Sequence, residues 1–137
     1  MDREFFDQTY NRMIDLFPFC QDQRYLVHAD YAFGNIIVHK GKVTAVLDWA
    51  NAMYGDFLYD VAWMDLRSPE QDYRILFKRY YEDKGTTIKD YEERLLCYEY
   101  YVSLEPQVWY GLTNNPADYA WMRERSLQIT ERGITRA

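Results

Sequence analysis

At 137 residues, with 48% hydrophobic and 18% aromatic content, the chain has the length of one ordinary domain and enough apolar material for a packed core, which excludes a disordered segment. A formal charge of -6 and a pI near 4.9 run against the clustered Lys and Arg that phosphate backbones require, so nucleic acid is excluded as a partner, while a polycationic small molecule suits the same balance. No stretch approaches the roughly 18 apolar residues of a membrane helix, and the opening MDREFFDQTY lacks a signal-peptide apolar run, so no membrane association is expected. Cys20 and Cys97 stand isolated, with neither metal-type nor secreted-disulfide spacing, and read as reduced thiols of a cytoplasmic protein.

Phe5, Phe6, Tyr10, Met13, Leu16 and Phe17 recur at helical spacing, which predicts an amphipathic helix over 3–17 that stops before Pro18 and packs beneath the loop at 28–35. Tyr25 to Val27 reads as a short strand and residues 28–35 as a loop. Ile36 to Val38 and Val43 to Leu47 are β-branched runs around Lys40-Gly41, which predict a hairpin with Gly41 at positive φ and the only β-structure of the chain. Gly55 supplies a turn and Asp56 an N-cap for a helix over 57–66, ended by Ser68-Pro69. Ser68, Pro69 and Gln71 offer a cap, a first-turn Pro and a capping-box partner for a helix to about Asp83, closed by Gly85. Thr87 with Asp90 opens a helix from 88 to about 104, residues 105–115 form the most irregular stretch, and Asn115-Pro116 opens a last helix ending near Gly133. No repeat or linker divides the chain. Glu70, Asp72, Glu92, Glu93, Glu99 and Glu105 read mostly as solvated helix faces, some of them available to substrate amines.

The chemistry concentrates in HADYAFGN and VTAVLDW. An Asp two residues after a His, an Asn five residues later and a second Asp after a returning hairpin match the spacing of a phosphotransferase catalytic loop and its metal-binding partner. Asp30, left free of metal, can orient an acceptor hydroxyl and take its proton. Asn35 and Asp48 can give magnesium one amide oxygen and one carboxylate, a sufficient protein share for an ion that keeps several waters. A lone His-x-Asp is ordinarily a solvated loop pair. The Asn35 offset, the flanking strands and Asp48 displace that reading here, with His28 supporting loop geometry and His39 merely exposed at the hairpin edge. Glycines at 34, 41, 55, 85, 111 and 133 never fall into G-x-G-x-x-G or Walker A spacing, so no phosphate-cradling loop is identified and ATP, if used, must be held largely by residues outside this sequence.

The blocks YLVHADYAFGN and VTAVLDWANAMYGDFLYDVAW, with weaker similarity in YEYYVSL and ADYAWMRER, resemble the C-terminal lobe of aminoglycoside phosphotransferases. The resemblance implies an α+β, mainly α fold: a protein-kinase-like C-terminal lobe with one small β-hairpin and the nucleotide-binding lobe absent, residues 1–137 forming a single domain. It implies transfer of the γ-phosphoryl of ATP, with Mg²⁺, to a hydroxyl of an aminoglycoside-like polycationic substrate, an activity of the antibiotic-resistance type. By motif position it makes Asp30 the catalytic base and Asn35 and Asp48 the metal ligands. The family's Gly-Asp then Asp-x-Ala pattern implies that Asp60 braces the catalytic loop alongside His28. Members are roughly twice this length, so this chain alone is expected to be inactive, and the many Tyr and Trp leave room for an aromatic face that self-associates or meets a missing N-terminal lobe.

Two other classes compete. A catalytically silent kinase-fold remnant or interaction module is favoured by the missing Gly-rich loop and opposed by the intact Asp30, Asn35 and Asp48 set. A metal-dependent hydrolase on His28, Asp30 and Asp48 needs a fuller His and carboxylate cluster than two histidines provide.

Overall fold

The computed structural model describes residues 2–20, 22 and 24–134. Helix α1 (Arg3–Leu16) starts on Asp2, whose Oδ1 accepts from the Phe5 amide at 3.2 Å, and Pro18 falls in the 3-10 turn Phe17–Phe19 that ends it. Its principal packing partner is the long helix α4 (Tyr91–Leu112), not the expected loop at 28–35. Cys97 donates its Sγ hydrogen to the Met13 carbonyl across that contact, at 3.5 Å.

Strand β1 (Tyr25–Val27) precedes the loop, and β2 (Ile36–His39) and β3 (Lys42–Val46) form the expected antiparallel hairpin. Lys40 (φ +50°) and Gly41 (φ +73°) are both left-handed, the backbone of a two-residue turn that matches strand twist. A second sheet was not expected. β4 (Met53–Gly55) returns antiparallel to β1 in the register Tyr25↔Gly55, Leu26↔Tyr54, Val27↔Met53. The backbone groups of β1 need partners, and a three-residue strand is too short to show the alternation that betrays one in sequence. Gly55 is therefore a strand residue rather than a turn.

The remaining chain is helical: α2 (Leu58–Arg67), α3 (Tyr73–Glu82), α4 and α5 (Pro116–Arg132). α3 begins at Tyr73 because Asp72, not Ser68, caps it, its Oδ1 accepting from the Ile75 amide at 3.1 Å. α5 begins as expected, on Asn115 with Pro116 in its first turn, and stops at Gly133 (φ +57°). α4 overruns its expected end by a full two turns, through Pro106. An interior Pro costs roughly 3 kcal/mol. Here α4 is the central element, packed against α1, α2 and α5, and Val102, Leu104, Pro106 and Gln107 are all buried on it, which offsets the lost hydrogen bond. The core joins Val27 of β1 to Leu58, Val61, Ala62 and Leu66 of α2, Leu95 and Val102 of α4, and Met122 and Ile129 of α5. No helix among the described residues is long and apolar enough to cross a membrane.

Candidate active site

The loop between β1 and β2 is held from below by the first turn of α2. One oxygen of Asp60 accepts from the His28 amide at 2.9 Å and the other from the Ala29 amide at 2.8 Å. Those bonds hold a backbone that an L-residue rarely adopts, since Ala29 sits at φ +64°. The His28 ring is buried and accepts from the Asp30 amide through Nδ1 at 3.3 Å, so its hydrogen lies on Nε2, which donates to the Leu47 carbonyl at 2.8 Å. The ring also meets Trp49, centroids 4.7 Å apart. A loop residue thus ties itself to the far end of the hairpin.

Asp30 is half-buried and both its oxygens are in use. Oδ1 accepts from the Trp63 indole N–H at 3.1 Å, and Oδ2 accepts from Asn35 Nδ2 at 3.1 Å. The same Nδ2 donates to the Asp30 carbonyl at 2.9 Å. A carboxylate has about four lone-pair positions, so two neutral donors fix its orientation and leave acceptor capacity for a substrate hydroxyl. Asn35 is the last residue of a 3-10 turn, Phe33–Asn35, and its carbonyl accepts from the Leu47 amide at 2.8 Å. Leu47 is therefore bonded to both His28 and Asn35, and the hairpin returns residue 48 to the loop that it left. Asp48 is exposed, in the left-handed region (φ +57°, ψ +67°), and starts the turn Trp49–Asn51.

The donor set suits a hard, oxygen-seeking cation that brings most of its own ligands. Asn35 spends its amide nitrogen on Asp30, which turns its oxygen away with no donor on it among the described residues. Asp48 likewise offers a carboxylate with no hydrogen-bond donor among the described residues. No group of three or more His, Cys, Asp or Glu among the described residues could by itself cage a metal. One amide oxygen and one carboxylate match magnesium, which is usually bound through one or two carboxylates plus substrate phosphates.

Two arrangements escaped the sequence. Trp63 follows Asp60 by three residues on α2, so the two share a helix face, a spacing that could have pointed to it. Asp56, expected as a simple cap, does accept from the Leu58 amide at 3.1 Å, yet its other oxygen takes Nε and Nη2 of Arg94 at 2.9 and 2.7 Å with both side chains buried. Nothing local to either residue signals a pair that spans 38 positions. Among the acidic residues read as solvated faces, Glu99 is buried, Asp72 caps α3 and Glu92 pairs with Lys78 at 2.8 Å.

A loop braced by a helix carboxylate, an Asp locked to an Asn and a hairpin returning a second Asp define a kinase-like phosphotransferase architecture. Residues 2–95 match the family model of the phosphotransferase enzyme family, and the chain belongs to that family. It is 35% identical over 120 residues to hygromycin-B 4-O-kinase of Escherichia coli, covering 83% of this chain and 33% of that protein. The crystal structure of the aminoglycoside phosphotransferase APH(4)-Ia superposes with a TM-score of 0.80 at 29% identity, over 98% of this chain and 46% of that one. A thermostable mutant of the same enzyme, in ternary complex with AMP-PNP and hygromycin B, gives a TM-score of 0.79 at 29% identity, over 96% and 45% of the two chains. The kinase-like aminoglycoside phosphotransferase fold is thus shared, and the chain spans about a third of the curated relative and under half of the solved ones.

Proposed function

We propose that residues 1–137 form the catalytic-loop lobe of a phosphotransferase that moves the γ-phosphoryl group of ATP to a hydroxyl of an aminoglycoside-like polycation, hygromycin B being the first compound to try. The observation that supports this reading is the Asp30–Asn35 interlock: Asn35 Nδ2 bonds both the carbonyl and the carboxylate of Asp30, and the Asn35 oxygen has no donor among the described residues. Asp30 orients the hydroxyl and receives its proton at a free lone pair as the oxygen attacks. Asn35 and Asp48 would hold magnesium, which when bound supplies neutralisation of charge on the transferred group. Asp60 and His28 keep the loop in register with the hairpin through the bonds to residues 28, 29 and 47.

The lobe reading draws support from apolar surface around the site. Leu26, Phe33, Val38, Val43 and Tyr54, all on the two small sheets and the loop, are 56–78% exposed. Exposed apolar patches of this kind ordinarily mark an interface. A nucleotide-binding lobe, or a second copy of the chain, is the expected cover.

The test uses the assembled enzyme, this chain joined to its nucleotide-binding lobe. Asp30→Ala should lower turnover by about 10²–10⁴-fold with nucleotide affinity retained. Asp48→Ala should instead weaken the response to magnesium. Turnover near wild type in both variants would remove these roles, whereas an assembled wild-type protein without turnover on any aminoglycoside would favour a silent kinase-fold interaction module.

A further inference from the structure

We propose that Trp63 is a positioning residue for Asp30, its indole N–H fixing which carboxylate lone pairs face the acceptor. The proposal rests on the reading of Asp30 as the base. An Asp side chain moves among staggered χ1 rotamers as well as about its broad, roughly two-fold terminal torsion, so with one donor the carboxylate can leave the single χ1 rotamer that two donors hold. Here two donors grip it from different elements: Asn35 of the loop at Oδ2 and Trp63 of α2 at Oδ1, each at 3.1 Å.

Trp63 is well placed to be a fixed point. It is 8% exposed, lies on the core helix α2, and has a single donor that requires a partner when buried. Arg67, one turn further along, lays its guanidinium over the indole with 4.8 Å to the ring centroid and closes the ring's outer side. The face of α2 that carries Asp60 to the backbone of residues 28 and 29 thus also carries Trp63 to the side chain of residue 30. Loop and carboxylate are set by the same rigid helix, so their relative geometry does not depend on the loop's own stiffness.

The competing reading is that Trp63 only fills space and its N–H takes the nearest acceptor. Replacing Trp63 by its benzothienyl analogue, sulfur for N–H, keeps the ring volume and removes only the donor, and Trp63→Phe provides a second, genetically encoded variant. On the full chain, three-bond couplings of the Asp30 methylene protons report its χ1. The expected result is a single rotamer in the wild type, averaging over more than one in the analogue, and an intermediate value in Arg67→Gln, with backbone amide spectra otherwise unchanged. Unchanged Asp30 couplings in the analogue would overturn the proposal, and the analogue decides the matter even if Trp63→Phe fails to fold. In the assembled enzyme the analogue should lower kcat on the order of tenfold at constant nucleotide KM, a fraction of the full contribution of a positioned base. Averaged couplings together with undiminished turnover in Asp30→Ala would leave the positioning intact and sink the base assignment instead.

Discussion

The carboxylates around Asp30 and those around Glu99 meet opposite kinds of donor. Asp30 and Asp60 are half-buried and, among the described residues, bonded only by neutral groups, an indole, an amide side chain and two backbone N–H groups. Asp65 and Glu99 are each 1% exposed and share Arg132, whose Nη1 reaches Asp65 at 2.7 Å while Nη2 reaches Glu99. Arg125 adds bonds to the carbonyls of Asp65 and Leu66 at 2.8 and 3.2 Å, and the buried Asp56–Arg94 pair repeats the closed arrangement. Neutral donors orient a carboxylate without cancelling its charge, so it remains able to accept a proton or a cation. Guanidinium partners compensate carboxylates that burial has cut off from water and solutes, and there the pair ties helices together.

The sharpest way to break this contrast is to remove one sealing cation. Arg94→Ala leaves Asp56 buried and uncompensated, and urea denaturation should show a loss of about 3–5 kcal/mol. Removing a neutral donor at the site by Asn35→Ala exposes a half-buried acceptor to water and should cost only about 1 kcal/mol. Equal costs would mean that the two regions are not built differently.

The pH dependence of stability comes next in size. Burial pushes the Glu99 carboxyl up from 4.5 to about 7 against the opposing pull of Arg132. Between those values the folded chain holds a proton that the unfolded chain has released, so stability from this group is fully present below about pH 4.5 and is lost as pH rises to about 7. The loss should reach roughly 3 kcal/mol at most, and Glu99→Gln should flatten that part of the profile. An unaltered profile in Glu99→Gln would show that Arg132 holds the carboxylate charged throughout.

Smaller effects belong to the loop. Asp60→Ala removes two bonds from a carboxylate to backbone amides and should cost about 2 kcal/mol, with faster amide exchange at His28 and Ala29. Ala29→Gly relieves a left-handed L-residue at φ +64° and should raise stability by about 1 kcal/mol. A destabilised Ala29→Gly would indicate that the methyl group of Ala29, a buried core residue, contributes more than the backbone strain costs.

The elements legible in sequence were those whose cause is local. The Lys40-Gly41 turn, the Asn115-Pro116 start and the Gly133 stop each depend on a few neighbouring residues, and each lies where the pattern put it. The spacing of His28, Asp30, Asn35 and Asp48 is local as well, and the brace from Asp60 was suggested by the family pattern. What escaped depends on residues distant in the chain. β4 forms because β1 lies beside it, α4 continues through Pro106 because three helices enclose it, and Arg94 and Arg132 find their carboxylates 33–67 positions away. Pro106 carries a strong local stop signal that tertiary burial overrides, whereas Gly111 lies exposed in the last turn of α4.

Calorimetric titration of the isolated 137-residue chain with ATP and magnesium, joined to light scattering and a phosphate-transfer assay on several aminoglycosides, bears most directly on the proposed lobe. The expected result is a folded chain without micromolar ATP affinity, with negligible turnover and with a tendency to self-associate through its exposed sheet surface. Micromolar ATP binding with turnover from a monodisperse monomer would contradict it and make these residues a self-sufficient kinase.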